Sequence, residues 1–166
     1  MKGGEKVRIG ILTVSDLGAR GRREDTSGDA IASWSVTRSY EVVVRSIVPD
    51  ESGVISGKLA RWADSGEVDV ILTTGGTGLS ARDVTPEATT AVLERKAPGL
   101  AEALRARSGA QFPRAWLSRG EAGTRGNTLI VNLPGSPGGV KDGLAVLADV
   151  VDHAVALLRG DPTDHR

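Results

Sequence analysis

Apolar residues in this chain fall into short continuous runs, separated by segments in which they recur every three to four positions. The run 7–14 (VRIGILTV) is rich in β-branched side chains and predicts a strand that is buried on both faces. The runs 40–48, 68–73 and 128–133 predict three further strands. The intervening spacing is typical of helices. We expect the helices over the following segments: 28–37, 51–65, 86–96, 98–108 and 139–159.

The alternation of strands and helices predicts a three-layer α/β/α domain with a mainly parallel sheet. Residues 115–131 depart from this pattern, because two short β-like pieces flank the glycines between Gly120 and Gly126. They predict a small antiparallel excursion. We expect residues 1–166 to form a single domain and residues 160–166 to form a flexible tail.

Composition narrows the class of protein. Hydrophobic residues make up 39% of the chain, which is enough for a core, and the formal net charge is zero. Without a basic or acidic tail, we expect neither a nucleic-acid partner nor an anionic membrane surface. The absence of cysteine excludes disulfides, thiol catalysis and cysteine-ligated metals. The first apolar run ends at Val14 and no run reaches membrane-spanning length, so we expect a soluble, cytoplasmic protein.

A loop with almost no bulky side chains follows the third predicted strand. Its candidate binding residues are Thr74, Gly75, Gly76, Thr77 and Gly78. Backbone N–H groups without bulky side chains can approach an anion closely, and the two threonines add hydroxyl donors. This composition is typical of a phosphate cradle. A glycine turn that only lets a strand and a helix pack together is an equally good explanation of the loop taken alone.

Three further polar loops follow predicted strands, at Ser15-Asp16, Asp50 and Pro134-Gly135-Ser136. In an open parallel sheet, ligands bind beyond the carboxyl ends of the strands. The convergence of these loops therefore favours a binding site over a simple turn.

Two carboxylates, Asp50 and Asp83, are expected on the same rim. Asp50 precedes a helix and could be its N-cap, and Asp83 could be an ordinary solvated loop residue. Beside a phosphate site, two carboxylates can hold Mg²⁺, which prefers oxygen ligands and takes some of them from substrate phosphates. The nearby Arg20, Arg22 and Arg23 favour a solvated loop, with an arginine lid over a nucleotide as the alternative.

Six stretches, taken in order, resemble a known family. They are VSD at 14–16, DTSG at 25–28, VPDE at 48–51, LTTGGTGLSARDVTPEAT at 72–89, LSRGEAGTRGNTLIVNLPGSP at 117–137 and LLRGD at 157–161. The chain resembles the molybdopterin adenylyltransferases of the MogA/MoaB type and the G domains of plant and animal molybdenum-cofactor proteins such as gephyrin.

The resemblance implies a mainly parallel α/β domain that assembles as a homotrimer. It implies molybdenum cofactor biosynthesis, in which molybdopterin is joined to the AMP portion of ATP, pyrophosphate is released and Mg²⁺ is required. The product would pass to a molybdate-insertion protein. A non-catalytic molybdopterin-binding carrier or scaffold with the same pocket is the alternative.

The resemblance also assigns residues. The two essential acidic positions of the family fall on Asp50 and Asp83, and the presence of both favours the catalytic branch. The glycine loop falls on 74–78 and a second substrate loop falls on 134–136. Asn127 and Thr128 match a family stretch beside the pterin.

Apolar side chains between Ala110 and Gly126 bear on assembly. Phe112, Trp116 and Leu117 are costly to expose unless a partner covers them, which gives modest support to a trimer. The alternative is that they pack back onto their own domain.

Overall fold

The computed structural model describes residues 4–164 and contains one mixed six-stranded sheet. Its strands are β1 (Arg8–Val14), β2 (Glu41–Val48), β3 (Val70–Thr74), β4 (Arg95–Lys96), β5 (Ala122–Arg125) and β6 (Thr128–Leu133). The strand order is β2-β1-β3-β6-β5-β4. The first four strands in that order are parallel, whereas β5 and β4 run antiparallel at one edge. The predicted antiparallel excursion is therefore confirmed.

Helices cover both faces of the sheet. They are α1 (Asp16–Ala19), α2 (Thr26–Thr37), α3 (Ser52–Asp64), α4 (Thr85–Val92), α5 (Pro98–Gly109), a 3-10 helix (Pro113–Leu117), α6 (Pro137–Leu147) and α7 (Val151–Arg159). Alternate residues of the central strands point to opposite faces. On one face Ile11 and Leu72 pack against α2, α5, α6 and α7, and on the other Leu12 and Ile71 pack against α3 and α4. The three-layer α/β/α prediction is confirmed.

The helix predicted over 86–96 is shorter than expected and starts one residue earlier. It ends at Val92, after which Arg95–Lys96 pairs with β5 as a short edge strand. Arg125 donates to the carbonyl oxygen of Val92 at 3.1 Å, so this helix end has a partner from the sheet edge.

The single helix predicted over 139–159 is two helices. The apolar stripe runs through both, but the backbone turns between Ala148 and Val150. The guanidinium group of Arg38 binds the carbonyl oxygen of Ala148 at 3.0 Å. That oxygen would otherwise accept the next helical hydrogen bond, so a tertiary contact interrupts a pattern that reads as continuous.

The ends of the described chain carry little regular structure. Gly160 ends α7 in the left-handed conformation, and 161–164 form neither helix nor strand. Residues 165 and 166 belong to the predicted tail but lie outside the described residues. Within residues 4–164, no helix is long and apolar enough to cross a membrane.

Candidate active site

The glycine loop and the 134–136 loop are locked together at the carboxyl edge of the sheet. The hydroxyl of Thr74 donates to the carbonyl oxygen of Pro134 at 2.7 Å, and the amide of Gly75 donates to that of Leu133 at 3.2 Å. Gly135 lies so close that a Cβ there would be 3.4 Å from the Cα of Gly75. Thr74 was expected to offer its hydroxyl to an anion, but the structure uses that donor to join the two loops.

The first two glycines of the loop are required by the fold itself. Gly75 has φ +95° and a Cβ there would collide with the carbonyl oxygen of Val14; Gly76 has φ +70° and a Cβ there would collide with the hydroxyl of Thr85. The position of Thr85 before Pro86 is typical of an N-cap, but Thr85 is not the N-cap of α4. It is the first residue of the helix, and its hydroxyl donates to the carbonyl oxygen of Gly75.

The same loop also presents unused donors. Within residues 4–164, the backbone N–H groups of Gly76, Thr77 and Gly78 have no protein acceptor, and all three residues line a cavity. Buried or cavity-lining N–H groups usually have a partner, so three consecutive free ones are suited to binding an anion. The loop is thus both a packing turn and a surface fit for a phosphate group.

Asp50 is held by a reciprocal pair of hydrogen bonds rather than by a helix cap. Its Oδ2 accepts the amide of Asp16 at 2.9 Å, and its own amide donates to Oδ1 of Asp16 at 2.9 Å. The N-cap of α3 is Glu51, so the capping alternative for Asp50 is wrong. Arg82 forms an ion pair with Asp16 at 2.9 Å and lowers the pKa of that carboxyl.

Asp50 bears an unfavourable charge. Burial raises the pKa of its carboxyl above the ordinary value, and the charges of Asp16 and Asp83 raise it further. Its Oδ1 faces the glycine loop, since a Cβ on Gly76 would lie 3.2 Å from that atom.

Asp83 closes the other side of the loop. Its Oδ2 accepts the amide of Ser80 at 3.0 Å, and a Cβ on Gly78 would lie 2.8 Å from that oxygen. In each of Asp50 and Asp83, a backbone amide fixes Oδ2. Among the described residues neither Oδ1 has a hydrogen-bond partner.

Two cavities meet at this loop. The larger has a volume of about 660 Å³, is lined mainly by apolar atoms and lies between the loop, α5, the 3-10 helix and α6. The smaller, of about 350 Å³, is more polar and lies beside α1 and the start of α2. Gly76, Asp83 and Gly135 line both cavities, so they form a shared wall.

Most of the remaining candidates lie on these cavities. Ser15 lines the smaller cavity and caps α1 by accepting the amide of Gly18 at 3.0 Å. Ser136 and Pro134 line the larger one, where Ser136 caps α6. Of the three loop arginines, Arg23 lines the smaller cavity.

Asn127 and Thr128 are not brought to the rim. Asn127 lies in the turn between β5 and β6, and Thr128 is the first residue of β6, where its hydroxyl donates to the carbonyl oxygen of Val68 at 2.8 Å. Val68 precedes β3, so this turn is at the amino end of the parallel strands, opposite the cavities. Neither residue lines the two cavities of the described chain, and their place beside the pterin stays a prediction.

Sequence reasoning missed three residues that build the site. Asp25 lines the smaller cavity, where Arg45 and the hydroxyl of Thr13 hold its carboxylate. Asn132 lines the larger cavity, and Arg119 binds the glycine loop. The DTSG motif could have pointed to Asp25 as a helix cap. The roles of Asn132 and Arg119 depend on contacts across 41 or more positions, which no local pattern reveals.

Comparison with known proteins identifies the family of this chain. Residues 10–153 match the family model described as "Probable molybdopterin binding domain". The chain belongs to this family. Its fold is thus shared with proteins of molybdenum cofactor biosynthesis.

Several relatives cover nearly the whole chain. The molybdopterin adenylyltransferase of Helicobacter pylori (strain ATCC 700392 / 26695) is 37% identical over 95% of this chain and 90% of its own length. The molybdenum cofactor synthesis protein cinnamon of Drosophila melanogaster is 43% identical over 95% of this chain, which spans only 26% of that longer protein. The crystal structure of the molybdopterin biosynthesis enzyme MoaB from Thermus thermophilus superposes with a TM-score of 0.88 and 49% identity, covering 95% of this chain and 99% of that one.

The carboxylates are suited to a magnesium ion shared with a substrate. No group of three or more His, Cys, Asp or Glu side chains within residues 4–164 is placed to hold a metal by itself. Mg²⁺ is, however, commonly bound by one or two carboxylates together with substrate phosphates. The partnerless Oδ1 atoms of Asp50 and Asp83, and the raised pKa of Asp50, fit such a site.

Proposed function

We propose that this chain is a molybdopterin adenylyltransferase, which joins molybdopterin to the AMP portion of ATP and releases pyrophosphate. The observation that carries the proposal is the shared wall of Gly76, Asp83 and Gly135 between two cavities. Two ligands bound side by side would meet there, which is what a transfer between two substrates requires.

The lining of the cavities supports one substrate in each. The larger, mainly apolar cavity suits the flat heterocycle of molybdopterin, with its phosphate against the free amides of residues 76–78. The smaller, polar cavity carries five carboxylates in its lining, those of Asp16, Glu24, Asp25, Asp50 and Asp83, so we propose that it takes the phosphates of ATP together with Mg²⁺. The two phosphate-bearing ends then converge on the glycine loop.

The proposed reaction is an attack of a molybdopterin phosphate oxygen on the α-phosphorus of ATP. A new P–O bond forms, the bond from the α-phosphorus to the bridging oxygen breaks, and its electron pair leaves with pyrophosphate. The attacking phosphate is already ionised near neutral pH, so the protein need not supply a base. Catalysis then rests on positioning and on neutralising charge.

Specific groups carry these tasks. The amides of Gly76, Thr77 and Gly78 offer donors to phosphate oxygens without reorganisation, because the loop is already fixed. Asp50 and Asp83 are the residues that would hold Mg²⁺, which when bound would neutralise the crowded phosphate oxygens. Their Oδ2 atoms are tied to backbone amides, so each carboxylate is oriented before substrate arrives.

The proposal extends to assembly and location. Phe112, Trp116 and Leu117 are 61%, 56% and 53% exposed in the isolated chain, which favours a partner surface. A homotrimer is the assembly that we propose. We place the reaction in the cytoplasm, where ATP is available, and we expect a molybdate-insertion protein to receive the product.

The test is pyrophosphate release by the purified protein. We expect release when molybdopterin, ATP and Mg²⁺ are all present, and none when molybdopterin is omitted. A carrier or scaffold with the same pocket would instead bind molybdopterin and leave ATP intact. Saturable molybdopterin binding without pyrophosphate release would therefore favour the carrier over the enzyme.

A further inference from the structure

Arg119 makes an unusual set of contacts with the glycine loop. It follows the 3-10 helix, 41 residues along the chain from Gly78. Its amide donates to the carbonyl oxygen of Thr77 at 2.8 Å, its Nε to that of Gly78 at 2.9 Å and its Nη2 to that of Asp83 at 2.8 Å. Its Nη1 forms an ion pair with Glu87 of α4. One residue thus spans both ends of the segment 78–83.

These bonds orient the groups that face the cavities. A peptide unit is planar and trans, so fixing its carbonyl oxygen also fixes the N–H on the opposite side. The bond to the Thr77 carbonyl therefore aims the free amide of Gly78. The bond to the Asp83 carbonyl fixes the backbone from which that carboxylate extends.

Few other contacts could do this. The amide of Asp83 donates to the carbonyl oxygen of Ser80, and the amide of Ser80 donates to Oδ2 of Asp83. Both bonds lie inside the segment and do not attach it to the rest of the protein. From residue 77 to 84, the other side-chain hydrogen bonds to distant described residues are a long contact from Ser118 to Thr77 at 3.4 Å and the exposed Arg82–Asp16 pair. The guanidinium group of Arg119 is therefore the main attachment of residues 77–84 to the rest of the protein.

We infer that Arg119 is a positioning residue, whose guanidinium group holds the backbone of Gly78 and Asp83, and through it the carboxylate of Asp83, in the geometry that phosphoryl-group binding needs. The inference rests on the proposed function for its catalytic consequence. A guanidinium can donate to two carbonyls at a fixed spacing, whereas a lysine ammonium is a single point of charge. Arg119→Lys keeps the charge and the backbone bond to Thr77 but loses the fork.

The first test needs no substrate. The amide of Ser80 reports on Asp83 because the Asp83 carboxylate binds it, so its exchange with water can be followed by NMR. In Arg119→Lys we expect exchange at Ser80 to rise several-fold while the melting temperature stays close to wild type. Unchanged exchange at Ser80 in the folded variant would overturn the inference, whatever the activity.

The second test is kinetic. We expect kcat of Arg119→Lys to fall about tenfold to a hundredfold, since small misplacements of reacting groups have effects of that size. KM should change little, because the cavities keep their walls. A rise in KM with normal kcat would contradict a positioning role. If the wild type forms no product, the proposed function fails, and the exchange experiment still decides the role of Arg119.

Arg125→Lys is the matched control. Arg125 also lies in the excursion, also binds a backbone carbonyl, that of Val92, and also forms an ion pair, with Asp64, but at the far end of the sheet. We expect normal kcat and normal exchange at Ser80. Equal effects from both arginine variants would overturn the inference.

Should Arg119→Lys fail to fold, Glu87→Gln removes the anchor of Nη1 and should raise exchange at Ser80 to a smaller extent; no change would contradict the inference.

Discussion

Replacing Asp50 by Asn should abolish activity while leaving the fold intact or slightly more stable. An Asn side chain retains an oxygen that can accept the amide of Asp16, so the reciprocal contact survives. What is lost is a charge that burial and two neighbouring carboxylates already disfavour. We expect turnover to fall about 10²–10³-fold, or about 3–4 kcal/mol of transition-state stabilisation, the scale of a key electrostatic group at a reacting centre.

The stability change follows from the same charges. Asp50 is partly solvated, so repulsion from Asp16 and Asp83 is screened and costs about 0.5 kcal/mol, within the range of exposed charge pairs. For a chain of this size, its removal raises the melting temperature by about 1–2 °C. The assay is thermal unfolding by circular dichroism beside pyrophosphate release, with Asp149→Asn at the exposed α6–α7 turn as the control. A fall of several degrees with activity retained would refute the reasoning and make Asp50 structural.

Four further predictions follow from the same geometry. Asp83→Asn should lose activity about a hundredfold with an unchanged melting temperature, and near-normal turnover would remove it from the site. In the metal-free protein the Asp50 carboxyl should titrate above the ordinary Asp value of about 3.9, because burial raises its pKa, and carboxyl NMR can follow this. A raised folded-state pKa means that protonating Asp50 favours the folded state, so thermal unfolding by circular dichroism should show that the wild type loses less stability on acidification than Asp50→Asn does; an equal or larger loss in the wild type would contradict this. Gly78→Ala displaces the carboxylate of Asp83 and should reduce activity about tenfold with the fold intact, whereas Gly75→Ala strains the backbone and should lower stability; equal unfolding in both would contradict the distinction. Light scattering should give three times the chain mass of 17.2 kDa, or about 52 kDa, and Trp116→Asp should weaken that assembly; a monomer at micromolar concentration rules the trimer out.

The architecture was predictable because it depends on local patterns. Continuous apolar runs gave the buried strands, and the carboxyl-edge rule placed Ser15, Asp50 and the glycine loop on one rim. The break in the last helix was not predictable, because Arg38 reaches it from 110 positions away. Local spacing carries no record of such contacts.

The candidate site shows the same division. Glycines after a buried strand predicted a loop with special geometry. The sequence did not show which glycines are needed for the turn and which are suited to binding a phosphate. That division depends on Val14 and Thr85, which approach only in three dimensions. The sequence likewise did not show that Asn127 and Thr128 lie at the end of the sheet opposite the cavities.

Label transfer from ATP tests the central claim most directly. With a phosphorus label at the α position, Mg²⁺ and molybdopterin, the account predicts that the label becomes attached to the pterin. A label at the γ position should appear only in pyrophosphate. If the α label stays in ATP, or appears only as free AMP while folded protein binds molybdopterin, the chain is not an adenylyltransferase and the account is contradicted.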